Sequence, residues 1–213
     1  MAKTSIYLIR HGESAGNREN RVRGRVDFPL NDNGIAQAGA LATAMKGRNL
    51  TYVYSSPLKR AFSTAEMISE SCGCGLSSDN SFNNIKLDPW QGRLKSDIAE
   101  SEPLLWNTWI NDPESLILEG AETLDQVMER SISGLQRLIE KHRGETFAVV
   151  SHRGVLKPLL SGALGIEKPR FWRLHMDTGS YSLLTHDDIH GFCLMGLNYS
   201  EHMKDLPLIQ EFE

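Results

Sequence analysis

Ser5-Ile6-Tyr7-Leu8-Ile9-Arg10-His11-Gly12 is a short β-branched and aromatic run that ends abruptly in two basic residues and a glycine. It reads as a buried strand that hands His11 to a loop. The same grammar returns late in the chain, where the strand candidate Thr146-Phe147-Ala148-Val149-Val150 runs into Ser151-His152-Arg153-Gly154 and then a helix to about residue 164. Between them, a turn at Asn33-Gly34 precedes Ile35, Ala38, Leu41, Ala42 and Met45 at helical spacing, which predicts a helix over about 35–46. Tyr52-Val53-Tyr54 is a further strand. Ser56 is placed to cap the next helix and Pro57 to fill its first position, carrying it through Arg60 and Ala65 to about Glu70.

The stretch 72–92, rich in Gly, Ser, Asn and Asp, reads as loop with one short strand. Trp106, Trp109 and Ile110 suggest a short helix before Asp112-Pro113. Thr123 and Gln126 form a capping box for an amphipathic helix that carries Leu124, Val127, Leu135, Leu138 and Ile139 and stops by Gly144. Strand candidates 181–185 and 192–197 complete the set. Strands alternating with helices predict an α/β three-layer sandwich, a mostly parallel central sheet covered by helices on both faces. Ligands of such sheets bind beyond the carboxyl ends of the strands. His11, Arg60 and His152 are therefore expected to converge there.

The chain has 213 residues, 40% hydrophobic and 23% charged, which suits a single domain over 1–213. Its net charge of −4 argues against nucleic acid and anionic membranes as partners. No apolar run is long enough for a membrane span, and Ser5–Ile9 is too short for a signal-peptide core, so a cytoplasmic location is expected. Three cysteines cannot all pair, and Cys72-Gly73-Cys74 lacks zinc-site spacing, so they read as free thiols. Against the acidic whole stands a basic cluster, Arg10, Arg18, Arg21, Arg23 and Arg25, opposed only by Glu13 and Glu19.

Arg10-His11-Gly12-Glu13, Asn17, Pro29-Leu30, Gly34, Ser56-Pro57-Leu58-Lys59-Arg60-Ala61, Thr64-Ala65 and Ser151-His152 follow one another in the order of the histidine phosphatase superfamily, which the chain resembles from about residue 5 to 165. The best-known branch of that superfamily is the cofactor-dependent phosphoglycerate mutases, and the resemblance implies their fold. It also implies that His11 is the nucleophile that becomes phosphohistidine. Arg10 and Arg60 match the phosphate clamps, His152 the second histidine of the pocket, and Asn17 a phosphate-contacting Asn. Physical chemistry agrees, because phosphoryl transfer asks for positioning and for positive charge around the equatorial oxygens, and arginine offers both. The nucleophile must be neutral, and its other ring nitrogen is expected to donate to a backbone carbonyl. No metal and no cofactor is required by this scheme; the partner is a small phosphorylated substrate.

The chain departs from the family where a Glu or Asp normally protonates the leaving oxygen: Asn84 aligns there, and an amide has no proton to give. Either Asp88, slightly preferred, or Glu122, which matches a pocket-edge Glu, supplies the proton, or the natural leaving group is acidic enough to go unassisted. Arg23 stands where the family often has Gln, and Arg153 where it has Gly; each is a candidate for a second anionic group on the substrate. Phosphatase activity is preferred over phosphoglycerate mutase activity because the stretch 90–102 holds no inserted flap. A member that binds phospho-ligands with weak turnover is the third reading. Trp90, Trp106 and Trp109 are candidates for a lid or, more simply, core.

Overall fold

The computed structural model describes residues 2–208. Its elements are β1 (Thr4–Arg10), α1 (Ala15–Arg18), α2 (Asp32–Met45), β2 (Tyr52–Ser55), α3 (Lys59–Cys72), β3 (Gly75–Ser78), α4 (Lys95–Ser101), α5 (Pro103–Asn111), α6 (Leu124–Lys141), β4 (Thr146–Ser151), α7 (Arg153–Ala163), β5 (Tyr181–Asp187) and β6 (Gly191–Tyr199). The strands form one sheet in the order β3-β2-β4-β1-β5-β6. The first four run parallel, and β5 and β6 are antiparallel at one edge.

Alternation along the buried strands sorts the core into two layers. Ile6 and Leu8 of β1 and Phe147 and Val149 of β4 pack with Leu135, Leu138, Leu156 and Leu159 of α6 and α7. Tyr7, Ile9, Ala148 and Val150 face the other way, onto Leu41, Met45, Ala61, Ala65 and Ile68 of α2 and α3. The predicted three-layer sandwich is what the structure shows. A third cluster, with Trp90, Trp109, Ile98, Val127 and Phe171, lies under α4, α5 and the loop before them. Trp90 and Trp109 are thus core residues. Among the described residues no helix is long and apolar enough to cross a membrane.

The Thr123–Gln126 capping box is present, with the Gln126 N–H donating to Thr123 Oγ1 at 3.2 Å and the Thr123 N–H to Gln126 Oε1 at 2.9 Å. Two helix starts differ from the sequence reading. α2 begins earlier, because Asn31 and not the Asn33-Gly34 pair ends the preceding chain; Asn31 Oδ1 accepts the Gly34 N–H at 2.8 Å. α3 begins later, after Leu58. Ser56 prolongs the β ladder by donating its N–H to Val150 O at 2.9 Å, so Ser56 and Pro57 precede the helix.

Helices leaving β1 and β4 cover opposite faces of the sheet, since α2 packs on one side and α7 on the other. That divergence opens a crevice at the carboxyl ends of the two neighbouring strands.

Candidate active site

Register decides what meets in that crevice. Arg10 lies opposite Ser151 in the β1–β4 ladder, so His11 and His152 each stand one residue beyond a strand end, and the His11 N–H donates to Ser151 O at 3.1 Å. Their rings meet edge to face with centroids 4.9 Å apart. Both are buried.

A carbonyl can only accept, so the 2.6 Å contact between His11 Nδ1 and Gly12 O makes Nδ1 the protonated nitrogen and leaves the lone pair on Nε2. Burial above all, then the Arg60 and Arg10 guanidiniums, holds the His11 pKa well below the ordinary histidine value. His11 is a neutral imidazole at pH 7. His152 is depressed by the same means, burial first and then Arg60 and His11. Its Nε2 is 2.8 Å from Ser56 Oγ, which also accepts the Leu58 N–H at 3.3 Å. The residue that sequence reasoning took for a helix cap is therefore the support of the second histidine.

Arg10 and Arg60 are both buried. Arg10 donates from Nη1 to Met176 O at 2.7 Å. Arg60 donates from Nη1 to Val26 O at 2.9 Å and from Nη2 to Gly24 O at 3.0 Å, tying α3 to the arginine-rich loop. Burial and the nearby Arg23 bring its pKa down to about 9, which keeps it charged at neutral pH. Arg60 lies beside the cleft and not among its lining residues; Arg10, His11, Arg23, Asn84, His152 and Arg153 do line it. Sequence reasoning missed Arg21 and Lys95 at the cleft and Phe171 on its apolar wall, where Trp109, the lid-or-core candidate, also lies. Arg21 belongs to the visible arginine cluster, whereas nothing in the sequence around Lys95 marks it.

Asn17, Asp88 and Glu122, which sequence reasoning placed at the ligand, are held by protein partners. Asn17 sits beside the nucleophile loop, its Oδ1 accepting the Ser14 N–H at 3.0 Å and the Ser14 hydroxyl at 2.6 Å, and it is not among the cleft-lining residues. Gly12 packs tightly on the protein: a Cβ there would lie 2.4 Å from Gly34 O in the first turn of α2. Asp88 is not at the cleft. Its side chain is 45% exposed, with Oδ2 3.0 Å from Lys86 Nζ, and Oδ1 accepts from Gln91 at 3.2 Å. Glu122 lies behind Asn84, also away from the cleft lining, accepting from Arg130 Nε at 2.9 Å, Arg25 Nη2 at 3.1 Å and the Lys86 N–H at 2.8 Å. Burial alone would raise the Glu122 pKa, but these donors outweigh it and hold the carboxyl below its usual range.

Asn84 itself borders the cleft. Its Nδ2 donates to Gly24 O at 2.7 Å, and its backbone carbonyl accepts from Arg25 Nε at 3.0 Å and Arg130 Nη2 at 3.3 Å. Glu122, Arg25 and Arg130 together position the loop that presents Asn84. Among the described residues, no group of three or more His, Cys, Asp or Glu side chains is arranged to hold a metal.

The sequence model of a family described as the histidine phosphatase superfamily, branch 1, matches residues 6–198. This chain belongs to that superfamily. Phosphoserine phosphatase 1 of Hydrogenobacter thermophilus is 30% identical to this histidine phosphatase over 198 residues, covering 93% of each chain. The metal-independent phosphoserine phosphatase of Arabidopsis thaliana is 36% identical over 159 residues, covering 73% of this chain and 67% of its own. Among solved structures, YhfR of Bacillus stearothermophilus superposes with a TM-score of 0.91 at 26% identity, over 94% of this chain and all of its own.

Proposed function

We infer that the protein is a phosphatase that moves the phosphoryl group of a small phosphorylated metabolite first to His11 Nε2 and then to water. The observation that carries this reading is a neutral, buried His11 whose tautomer is set by Gly12 O, facing His152 with Arg10 and Arg60 at its sides. The P–O bond to the leaving group breaks as the Nε2–P bond forms. Water then attacks phosphorus, losing a proton to solvent, and His11 recovers its lone pair as inorganic phosphate leaves. The guanidiniums of Arg10 and Arg60 balance charge on the equatorial oxygens, and a bound dianion raises the His152 pKa, so that His152 adds a donor. No metal is needed to supply that charge.

Hydrolysis over return of the phosphoryl group to product is supported by the two phosphatase relatives and by the short passage from Trp90 to Glu102, which holds the single short helix α4. Arg23 and Arg153, both at the cleft, fit a second anionic group on the substrate. The reading places the chain as one domain in a reducing, cytoplasmic setting, in keeping with the free thiols Cys72, Cys74 and Cys193. The test is trapping. A labelled phosphoryl donor is expected to leave acid-labile, base-stable label on the chain and none on His11→Asn. Ligand binding without label or turnover overturns the reading in favour of a binding protein, and conversion of 3-phosphoglycerate to its isomer overturns it in favour of a mutase.

A further inference from the structure

Arg10 and His11 are held from behind by a segment that no sequence motif marks. The chain enters β5 through a loop, Met176 to Ser180, that lies against the end of β1. Met176 O accepts from Arg10 Nη1 at 2.7 Å, Ser180 O accepts the Arg10 N–H at 3.0 Å, and the Gly179 N–H donates to Arg10 O at 3.1 Å and to His11 O at 3.0 Å. Guanidinium and nucleophile backbone therefore take their places from one short loop. Ser180 closes it, donating its N–H at 3.2 Å and its hydroxyl at 2.8 Å to Asp177 O. Asn198 of β6 then fixes Asp177 from outside: its Oδ1 accepts the Asp177 N–H at 2.7 Å, and its Nδ2 donates to Asp177 Oδ2 at 2.9 Å. A carboxamide meets both demands, an acceptor for the N–H and a donor for the carboxylate, where a carboxylate meets only the first. The backbone is shaped for these bonds. Between the pairs Leu183–Gly196 and Tyr181–Tyr199, β6 advances three residues against two of β5. Asn198 lies in that bulge at a φ of 57°, a left-handed conformation that asparagine adopts more readily than most residues other than glycine. Its own N–H donates to Ser182 Oγ at 3.1 Å.

We propose that Asn198 is a positioning residue for phosphoryl transfer: through Asp177 it fixes the loop before β5, which aims the Arg10 guanidinium and seats the His11 backbone. Asn198 itself touches no reacting atom. The route runs from its carboxamide to Asp177, through the turn closed by Ser180, to Met176 O on Arg10 and the Gly179 N–H on Arg10 and His11. A phosphate clamp works by standing in place before charge develops, so slackening it lowers the rate of transfer more than the affinity. The inference rests on the phosphohistidine reading above, and the two fail differently.

The experiment compares variants of the intact chain. Asn198→Gly removes the carboxamide while permitting the same φ and keeping the N–H that meets Ser182. Asn198→Asp sets a second carboxylate against Asp177. The double exchange, Asp177→Asn with Asn198→Asp, restores an acceptor for the N–H of residue 177 and a donor–acceptor pair between the side chains. His175, whose Nε2 meets Asp177 Oδ1 at 2.9 Å, stays in every variant. Folding is checked by circular dichroism and denaturant midpoint, and kcat, KM and the pH dependence of kcat/KM are measured with 4-nitrophenyl phosphate well below each midpoint. Asn198→Gly and Asn198→Asp are expected to lower kcat by about 10- to 10²-fold, the scale of a misplacement of about 1 Å, with a smaller change in KM. The double exchange is expected to recover most of that loss. After burial and Arg60, the Arg10 charge holds the His11 pKa down, so the acid limb of Asn198→Gly is expected at higher pH than that of the unaltered protein. A lowered midpoint with kcat, KM and the limb of the folded protein unmoved overturns the proposal, because Asn198 then only stabilises the fold. So does a loss in Asn198→Asp that the double exchange leaves in place. Where Asn198→Asp does not fold, kcat and the acid limb of Asn198→Gly decide. If the unaltered protein takes no label on His11 from a phosphorylated donor, the phosphohistidine reading itself has failed; if it does and Asn198→Gly is labelled at the same rate, only the present inference has.

Discussion

His11 acts through a lone pair, and everything touching the ring defends it. Protonation of Nε2 removes the nucleophile, so activity is lost as pH falls through its pKa; because that pKa is depressed, the acid limb of kcat/KM lies below pH 6.5 once substrate ionisation is allowed for. After burial, Arg60 is the leading cause of the depression. Arg60→Met is therefore expected to shift the acid limb to higher pH while lowering kcat/KM by about 10²- to 10³-fold, as loss of a charge-stabilising donor does. pH–rate profiles of both proteins check this, and an unmoved limb means that burial alone sets the His11 pKa. The same depression has a stability consequence: below about pH 6.5 the unfolded chain takes up protons that folded His11 and His152 refuse, so folding stability is full above that pH and declines beneath it. His11, Arg10, Arg60 and His152 were legible because strand ends and a motif name them. The roles sketched for Asp88 and Glu122 were not decidable from sequence, since a carboxylate's function depends on which cation reaches it through space, here Lys86 for one and Arg25 with Arg130 for the other.

α2 holds the nucleophile loop by backbone contact. A Cβ at Gly34 would lie 1.9 Å from Glu13 O, and one at Gly12 would lie 2.4 Å from Gly34 O, so the first turn of α2 and the loop after β1 touch without side chains between them. Gly39, in the same helix, has room: a Cβ there meets nothing nearer than Met67 Cε at 3.6 Å. Gly34→Ala is expected to cost about 1–3 kcal/mol and to lower kcat as His11 is displaced, whereas Gly39→Ala gains up to about 1 kcal/mol with activity unchanged. Denaturant midpoints together with kcat separate the two, and equal effects would show that the contact at Gly34 is not what seats the loop. The sequence announced α2 and α6 by their periodic apolar faces and α6 by its capping box, but it misplaced where α2 and α3 begin. Asn31 wins the cap of α2 over the turn-like Asn33-Gly34, and the ladder and His152 claim Ser56 before a helix can. The short α1 and α4 gave no periodic signal and went unanticipated, α4 lying in a stretch without a sustained apolar face.

The molecule carries a net charge of −4, yet its cleft is bordered by Arg10, Arg21, Arg23, Lys95 and Arg153 with no carboxylate among the described residues there. Chain order makes this possible: β1 delivers Arg10, the loops after it Arg21 and Arg23, and β4, through α7, Arg153, all at the sheet's carboxyl edge. Alternating strands and helices foretold the sheet and that edge, but not Lys95, which reaches the cleft from α4 and has no marker of its own. Positive residues gathered in a concave site on an acidic body focus the field on that site, drawing a phosphate dianion inward while repelling it elsewhere. Salt screens this attraction, with a Debye length of about 30 Å at 0.01 M and about 3 Å at 1 M. kcat/KM for a dianionic substrate is therefore expected to fall at least about tenfold between those ionic strengths, with kcat changing far less because the buried Arg60 is screened little. Arg153→Glu, a reversal at the rim, is expected to reduce the salt dependence along with kcat/KM at low salt. A salt-independent kcat/KM in the unaltered protein would mean that the rim cations act only on bound substrate and play no part in capturing it.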